Sequence, residues 1–338
     1  FNIIRSFLRK IPTPKEIQIL EKSSLYRLNI EGKTLDIMIN PSKYKHIMRF
    51  DPDRIKECYK HMMKLYIPPS EIKGLLRTAI LYNYYKQNVD YLISQVRDSI
   101  KLLNRIPFNA RLRTIRRLDQ NVMGVLARKV ILGGQRKPID IAQNLIIREA
   151  QIKSKGGIRT IAVYERGRNT PTFLTFTEAL NENSNLMYEL MVFDKSKVLG
   201  GMFPPKVEDF IRACEELLGD SCEKLRKVLH EFSKDLVEFE IARSTQFPIR
   251  DRSYFLTKIR DYVDRGEILL KVGFATGHMS KTLDLLLYNN AKSVYNDLCR
   301  VLSTVYRRPW NLHTVKVDFD SKKDWGWVKL KLKEVSAT

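Results

Sequence analysis

The chain has 338 residues, 43% of them apolar, and carries 60 Lys and Arg against 38 Asp and Glu, a net charge of +22 with a pI near 9.8. That length builds one large domain or two ordinary ones, and the supply of Leu, Ile, Val and aromatic residues excludes a disordered chain. The positive surplus points to a polyanion, which gives up condensed counterions on binding. A generally Lys-rich solvated surface is the plainer alternative. No apolar run reaches the roughly 18 to 20 residues of a spanning helix and no signal peptide is visible, so no membrane is expected as a partner and the chain reads as cytoplasmic.

Cys58, Cys214, Cys222 and Cys299 form no CxxC pair and have no His at zinc-ligand spacing, so they read as reduced core thiols, with no metal site. The opening residue is Phe1, which reads as a start within a longer protein, with room for a first strand before it.

In chain order, Leu25–Ile30 and Leu35–Met38 are expected as short strands around a turn at Glu31-Gly32-Lys33. After Pro68-Pro69, Ser70 to Lys86 is expected as a helix with Ser70 as N-cap, because Ile72, Leu75, Leu76, Ala79 and Ile80 recur at 3- and 4-residue spacing. A very basic helical stretch is expected from about Arg105 to Val130. Between Lys101 and Arg168 there are 16 Lys and Arg against 4 Asp and Glu, more than half of the whole surplus in about a fifth of the chain. Strands follow at Ile158–Tyr164, Thr172–Leu180 and Leu186–Phe193, the first two joined by a hairpin turn at Gly167-Arg168-Asn169. A long helical region is expected after Pro204-Pro205, with an apolar stripe of Leu225, Val228, Leu229, Phe232, Leu236 and Phe239. The strand Glu267–Phe274 leads into a glycine loop and a helix from about Thr282 to Val305, and strands His313–Phe319 and Trp325–Lys333 close the chain. Helices and strands mix without regular alternation, so the fold class is α+β. The best domain boundary lies near Thr170-Pro171, dividing 1–170 from 171–338.

Three motifs carry the chemistry. In IPPSEIKGLLRTA, Ile67 to Ala79, Lys73 and Arg77 share one helical face with Ser70 about a turn earlier. Like charges at that spacing repel, a face better explained by an anion lying against it, and Gly74 costs about 1 kcal/mol relative to Ala unless something approaches the backbone there. In KVGFATGHMSKT, Lys271 to Thr282, Gly273 and Gly277 permit positive φ while Ser280 and Lys281 can bind phosphate. The spacing is not that of a P-loop, because Ser280, not Gly, precedes Lys281. Third, Arg111, Arg113, Arg116 and Arg117 fall within seven residues, a density suited to bidentate phosphate contacts. An amphipathic helix with a basic solvent face, a plain strand-to-helix turn and a solvated basic face remain the respective alternatives. Of the five histidines only His278 lies in a suggestive loop; nothing in the sequence marks a catalytic partner for it, and His230 reads as a surface residue among charges.

Taken together, the first two motifs resemble those of the repeat-associated mysterious proteins (RAMPs), the RNA-binding subunits of type III CRISPR–Cas complexes. IPPSEIKGLLRTA resembles their IPGSSLKGxxR signature, and VGFATGHMSKT resembles the GxGxGxxSKT loop of the Csm-type subunit that caps the backbone filament. IDIAQNLIIREAQI, Ile139 to Ile152, is similar to that subunit's DPFRxLxVSDxxI segment, and WGWVKLKL, Trp325 to Leu332, to its terminal PLGWVKLEL. The sequence departs from the pattern at Pro69 and Glu71, which stand for a glycine and a serine, at Phe274 to Thr276, where one more glycine is usual, and at Asn181 to Asn185, in place of a Pro-Gly turn.

The resemblance implies two ferredoxin-like, RRM-related modules with helical insertions, and a non-catalytic subunit at the head of an effector complex near the 3′ region of the crRNA. Its implied partners are the crRNA phosphate backbone and other RAMP backbone subunits, with target RNA a further candidate; no cofactor is implied. Carried over residue by residue, Ser70, Lys73, Gly74, Arg77, Gly273, Gly277, Ser280 and Lys281 flank the guide, and His278 of the same loop is a further RNA-binding candidate. The alternative is a metal-independent guide-processing endoribonuclease of the same superfamily with His278 as general acid or base, and a third reading is a stand-alone nucleic-acid-binding protein.

Overall fold

The computed structural model describes residues 29–30, 37, 49–56, 60–61, 64–123, 127–132, 135–140, 145–153, 156–182, 184–192, 221–307, 310 and 313–334. Four short strands come first: β1 (Asn29–Ile30), β2 (Arg49–Lys56), β3 (Lys60–His61) and β4 (Lys64–Leu65). Ile37, within the stretch expected as a second strand, is helical and fully buried. Its burial in an apolar cluster fixes it as a core residue whatever the local backbone preference.

Helix α1 (Pro69–Gln87) begins one residue before the expected start, with Pro68 as N-cap and no side-chain cap, so Ser70 lies inside the first turn. Proline suits that start: its φ is already helical and its missing N–H would have had no partner there. The expected apolar face is the one buried, with Ile72, Leu75, Leu76, Ala79 and Ile80 in the main core. Helix α2 (Val89–Arg105) follows, and α3 (Phe108–Met123) after it. The single basic helix expected to Val130 is therefore broken twice. Pro107 holds Ile106 in an extended conformation, which ends α2. Residues Ala127–Leu132 form strand β5, paired with β6 (Gln135–Asp140), where the β-branched Val130 and Ile131 favour the pleat.

Strands β8 (Gly156–Glu165) and β9 (Phe173–Leu180) make the expected antiparallel hairpin and the centre of a five-stranded sheet. β2 runs parallel to β9 on one side, while β1 and β12 (Thr314–Asp318) share the far edge of β8. Gly167 takes a positive φ of 75° in the turn, the same turn that carries Thr170 and Pro171 between two strands of one sheet. Ile158, Ala162, Leu174 and Phe176 pack with Phe247, Val315 and Val317 into a core of their own. β7 (Leu145–Lys153) pairs with β10 (Asn185–Val192) as a separate antiparallel ribbon.

Pro204 and Pro205 lie outside the described residues. Helix α4 (Cys222–Ser244) is capped by Ser221, whose hydroxyl accepts from the Lys224 amide. Its stripe is buried as expected at Leu225, Leu229, Phe232, Leu236 and Phe239, with Val228 partly so. His230 is not a surface residue: its Nε2 lies 2.8 Å from the Val263 carbonyl and pins α4 to the end of α5 (Arg250–Asp264). β11 (Ile268–Lys271) is wholly buried and pairs with β13 (Trp327–Leu330). The helix expected from Thr282 to Val305 is two helices, α6 (Asp284–Asn290) and α7 (Lys292–Tyr306), parted at Ala291. Asn290 turns its side-chain amide back to the Leu286 carbonyl, the local competition that makes asparagine a poor helix interior.

An ion cluster ties these C-terminal elements together. Arg252, 1% exposed, donates Nε to Asp324 Oδ1 (2.7 Å) and Nη2 to Glu240 Oε2 (2.6 Å). Lys271 Nζ lies 2.8 Å from Glu240 Oε1 and 2.5 Å from Asp324 Oδ2, and Trp327 donates Nε1 to the same Asp324 oxygen. Burial disfavours the charged carboxylates, yet Lys271 and Arg252 outweigh it, holding Glu240 below its ordinary value and Asp324 at about 2. Charges this deep tolerate removal of one partner badly, at a cost of about 3–5 kcal/mol.

Candidate nucleic-acid interface

The loop between β11 and α6 lies against the first turns of α1. Glu71 joins them: its Oε1 accepts from the Gly273 amide (3.0 Å), across 202 residues of sequence, and from Lys281 Nζ (3.2 Å). Lys281 Nζ also donates to the Gly273 carbonyl (2.8 Å), closing the loop on itself. From the helix side, Thr78 Oγ1 reaches the Gly74 carbonyl (3.0 Å) and the Lys281 carbonyl (3.4 Å). The two motifs read separately in the sequence are one place in the fold.

Within the loop, Gly273, Ala275 and Gly277 all have positive φ, at 94°, 66° and 84°. A Cβ at Gly273, Gly277 or Gly74 would meet nothing within 4 Å, so each leaves open space beside its Cα, although the Gly273 amide and carbonyl are already engaged by Glu71 and Lys281. The base of the loop is packed by the closing segment. Trp325 donates Nε1 to the Phe274 carbonyl (3.0 Å), and a Cβ on Gly326 would fall 2.2 Å from Thr276 Cγ2 and 2.9 Å from the Val272 carbonyl. Gly326 is therefore required by close approach. Ile147 of β7 packs against the core that also holds Ile72 and Leu75. The glycine loop thus joins α1 on one side and the closing segment on the other, while β7 packs on the same core.

The named side chains do not all face outward. Ser70 is exposed, Lys73 and Arg77 are half-buried, and Lys281 is exposed. Ser280 is buried, its hydroxyl 3.5 Å from the Thr276 and Gly277 carbonyls of its own loop. Residues 280–283 are turn, and α6 starts only at Asp284, so the loop does not feed a helix N-terminus at Ser280. His278 is half-buried and turned inward. Its Nε2 lies 3.3 Å from the Tyr295 hydroxyl and 3.4 Å from Asp284 Oδ2, and its ring tilts against Trp310. The sequence marked no partner for this histidine; the structure supplies two. Burial, with Arg243 and Lys316 adding to it, pushes His278 down to about 4. Burial also raises Asp284 to about 6, against hydrogen bonds from Trp310 and Thr282.

The arginine cluster lies on α3. Arg113 and Arg116 are exposed, while Arg111 is half-buried with Nε 3.4 Å from the Ile106 carbonyl; the Arg117 side chain lies outside the described residues. Cys299 is buried and Cys222 half-buried, both as free thiols; Cys58 and Cys214 lie outside the described residues.

No family model matches the chain. A curated relative, the CRISPR system Cms protein Csm5 of Methanocaldococcus jannaschii, is 24% identical over 282 residues, which is 78% of this chain. The chain spans 59% of that relative's length. Among solved structures, a chain of the cryo-EM structure of a Csm-crRNA-target RNA ternary complex in a type III-A CRISPR-Cas system matches with a TM-score of 0.57 at 18% identity, over 96% of this chain and 89% of that one. The crystal structure of T. onnurineus Csm5 matches with a TM-score of 0.52 at 18% identity, over 94% and 88%.

The resemblance to Csm-type subunits read from the sequence is borne out.

The residue that the sequence did not mark as functional is Glu71. It stood out only as a departure from the RAMP signature, yet it is the hinge pin between helix and loop. Asp284, six residues after His278, was the other omission; its spacing was visible, but its burial was not.

Proposed function

We propose that this chain is a non-catalytic, guide-RNA-binding subunit of a type III CRISPR effector complex, capping the backbone filament near the 3′ region of the crRNA. The observation that carries the reading is the meeting of Glu71 and Thr78 of α1 with Gly273 and Lys281 of the glycine loop, where the open space at Gly74, Gly273 and Gly277 lies beside the exposed Lys281. Such a surface suits a phosphate chain approached closely by backbone amides. The Csm-type relatives support the assignment to an effector complex. On this reading the partners are the crRNA backbone and neighbouring RAMP subunits, target RNA passes alongside, and the complex works in the cytoplasm. No described helix is long and apolar enough to cross a membrane. The five-stranded sheet and antiparallel ribbons then belong to two ferredoxin-like, RRM-related modules with the α1–α3 segment inserted.

The endoribonuclease alternative gains Asp284 and Tyr295 as neighbours of His278. A general base works best with a pKa near the operating pH, and burial leaves His278 at about 4. The inward ring is better explained as a polar tie beneath the loop. Purification of the native complex tests the main reading. RNA of uniform length and sister subunits are expected to accompany the protein; a bare protein, or one cleaving RNA without metal in a His278-dependent way, contradicts it.

A further inference from the structure

Three of the large apolar side chains left exposed lie where α3 begins and α7 ends. Phe108 and Leu112, one turn apart on α3, are each 44% exposed, and Tyr306 at the end of α7 is 39% exposed. Arg307 follows in a left-handed conformation, φ 51°, and its guanidinium lies over the Phe108 ring at 5.3 Å. Tyr306 stacks on Trp310 with ring centroids 5.3 Å apart and an interplanar angle of 23°. Trp310 in turn tilts against His278 of the glycine loop, at 5.7 Å. A continuous track of rings and cations therefore runs from the head of the arginine helix to the loop of the candidate interface.

An exposed apolar patch usually takes a partner, and the charge here chooses which. Arg105, Arg113, Arg116 and Arg307 are exposed around it, and from Arg105 to Leu118 there is no Asp or Glu. A protein segment docked here would strip water from these guanidinium groups with no carboxylate from Arg105 to Leu118 to share. A single-stranded nucleic acid satisfies both features, because its bases offer flat π-faces to the rings while its phosphates meet the arginines.

We propose that Phe108, Tyr306 and Arg307 form a stacking platform for unpaired nucleobases of single-stranded RNA. This rests on the RNA-binding reading and adds base contact to a grip otherwise made on the backbone. Base stacking of this kind is tolerant of sequence, since every base has a π-face.

The test uses the full chain, fluorescently labelled oligoadenylate, and an abasic ribose-phosphate chain of equal length. Tyr306→Leu and Phe108→Leu alter exposed rings, and circular dichroism checks that each variant folds. Each is expected to bind oligoadenylate about tenfold more weakly, the loss of roughly one stacked base. The salt dependence should not change, because no charge is removed, and binding to the abasic chain should be unaltered. If wild-type protein binds both chains equally and in a salt-dependent way, the RNA reading stands and the platform is refuted. Failure to bind either chain at low salt overturns the RNA reading itself and the platform with it. Variants that keep full RNA affinity but lose a sister subunit assign the patch to a protein and overturn the proposal.

Discussion

Glu71 accepts from the Gly273 amide and pairs with Lys281, the groups proposed above to meet an RNA phosphate. Glu71→Gln keeps the shape and one amide-accepting oxygen while removing the charge. The Lys281–Glu71 pair spans 3.2 Å with side chains 43% and 28% exposed, so its strength is that of a solvated ion pair, no more than about 1 kcal/mol. An RNA that must break this pair to reach Lys281 gains up to about fivefold in affinity when the pair is gone. Releasing one cation to phosphate also steepens the slope of log K against log salt by about 0.7 for a single strand. Fluorescence anisotropy with single-stranded RNA across a salt series reads both quantities. Thermal unfolding should show a loss of no more than about 1 kcal/mol, since the amide hydrogen bond loses only its charge assistance. Unchanged or weaker binding with an unchanged slope would refute the idea that Lys281 meets phosphate at this junction.

Other changes separate neighbouring roles. Lys281→Ala should weaken binding and flatten the salt slope by about 0.7, with the fold intact because the side chain is exposed; an unaltered slope removes Lys281 from the interface. Gly277→Val forces a β-branched residue to a φ of 84°, so the protein should lose about 1–2 kcal/mol by chemical denaturation and lose RNA affinity as well. Full RNA affinity in that variant would show that open backbone at Gly277 is not used. Asp324→Asn should cost about 3–5 kcal/mol by leaving Lys271 and Arg252 short of a partner. Asp324 sits at about 2 in the folded protein, below its ordinary 3.8. Its contribution is therefore full above about pH 3.8 and lost as the pH falls toward 2, and the acid limb of the unfolding temperature should be shallower in Asp324→Asn than in the parent.

What the sequence made legible was local. The 3- and 4-residue spacing at Ile72, Leu75, Leu76 and Ala79 located α1 within a residue, and the turn residues Gly167-Arg168-Asn169 located the β8–β9 hairpin. Pro107 and Asn290 both announced breaks in helices, signals outweighed by the density of Arg around one and of Leu around the other. Pairings across long separations were not legible. Nothing in the spacing of Glu240, Arg252, Lys271 and Asp324 says that three elements and the segment before β13 meet on one ion cluster, because such contacts depend on packing rather than periodicity. Glu71 illustrates the same limit, since its partners are set by how α1 docks on the loop. Ser280 shows the converse: its residue type suited phosphate, while the fold turns it inward to its own loop carbonyls.

Photo-crosslinking of RNA to the assembled complex, followed by mass spectrometry of the modified peptides, shows directly whether RNA lies at this junction. Crosslinked nucleotides are expected on both 70–77 and 273–281, the two stretches that meet at Glu71. Crosslinks confined to surfaces remote from that junction, with both stretches unmodified, would contradict the proposed RNA contact there.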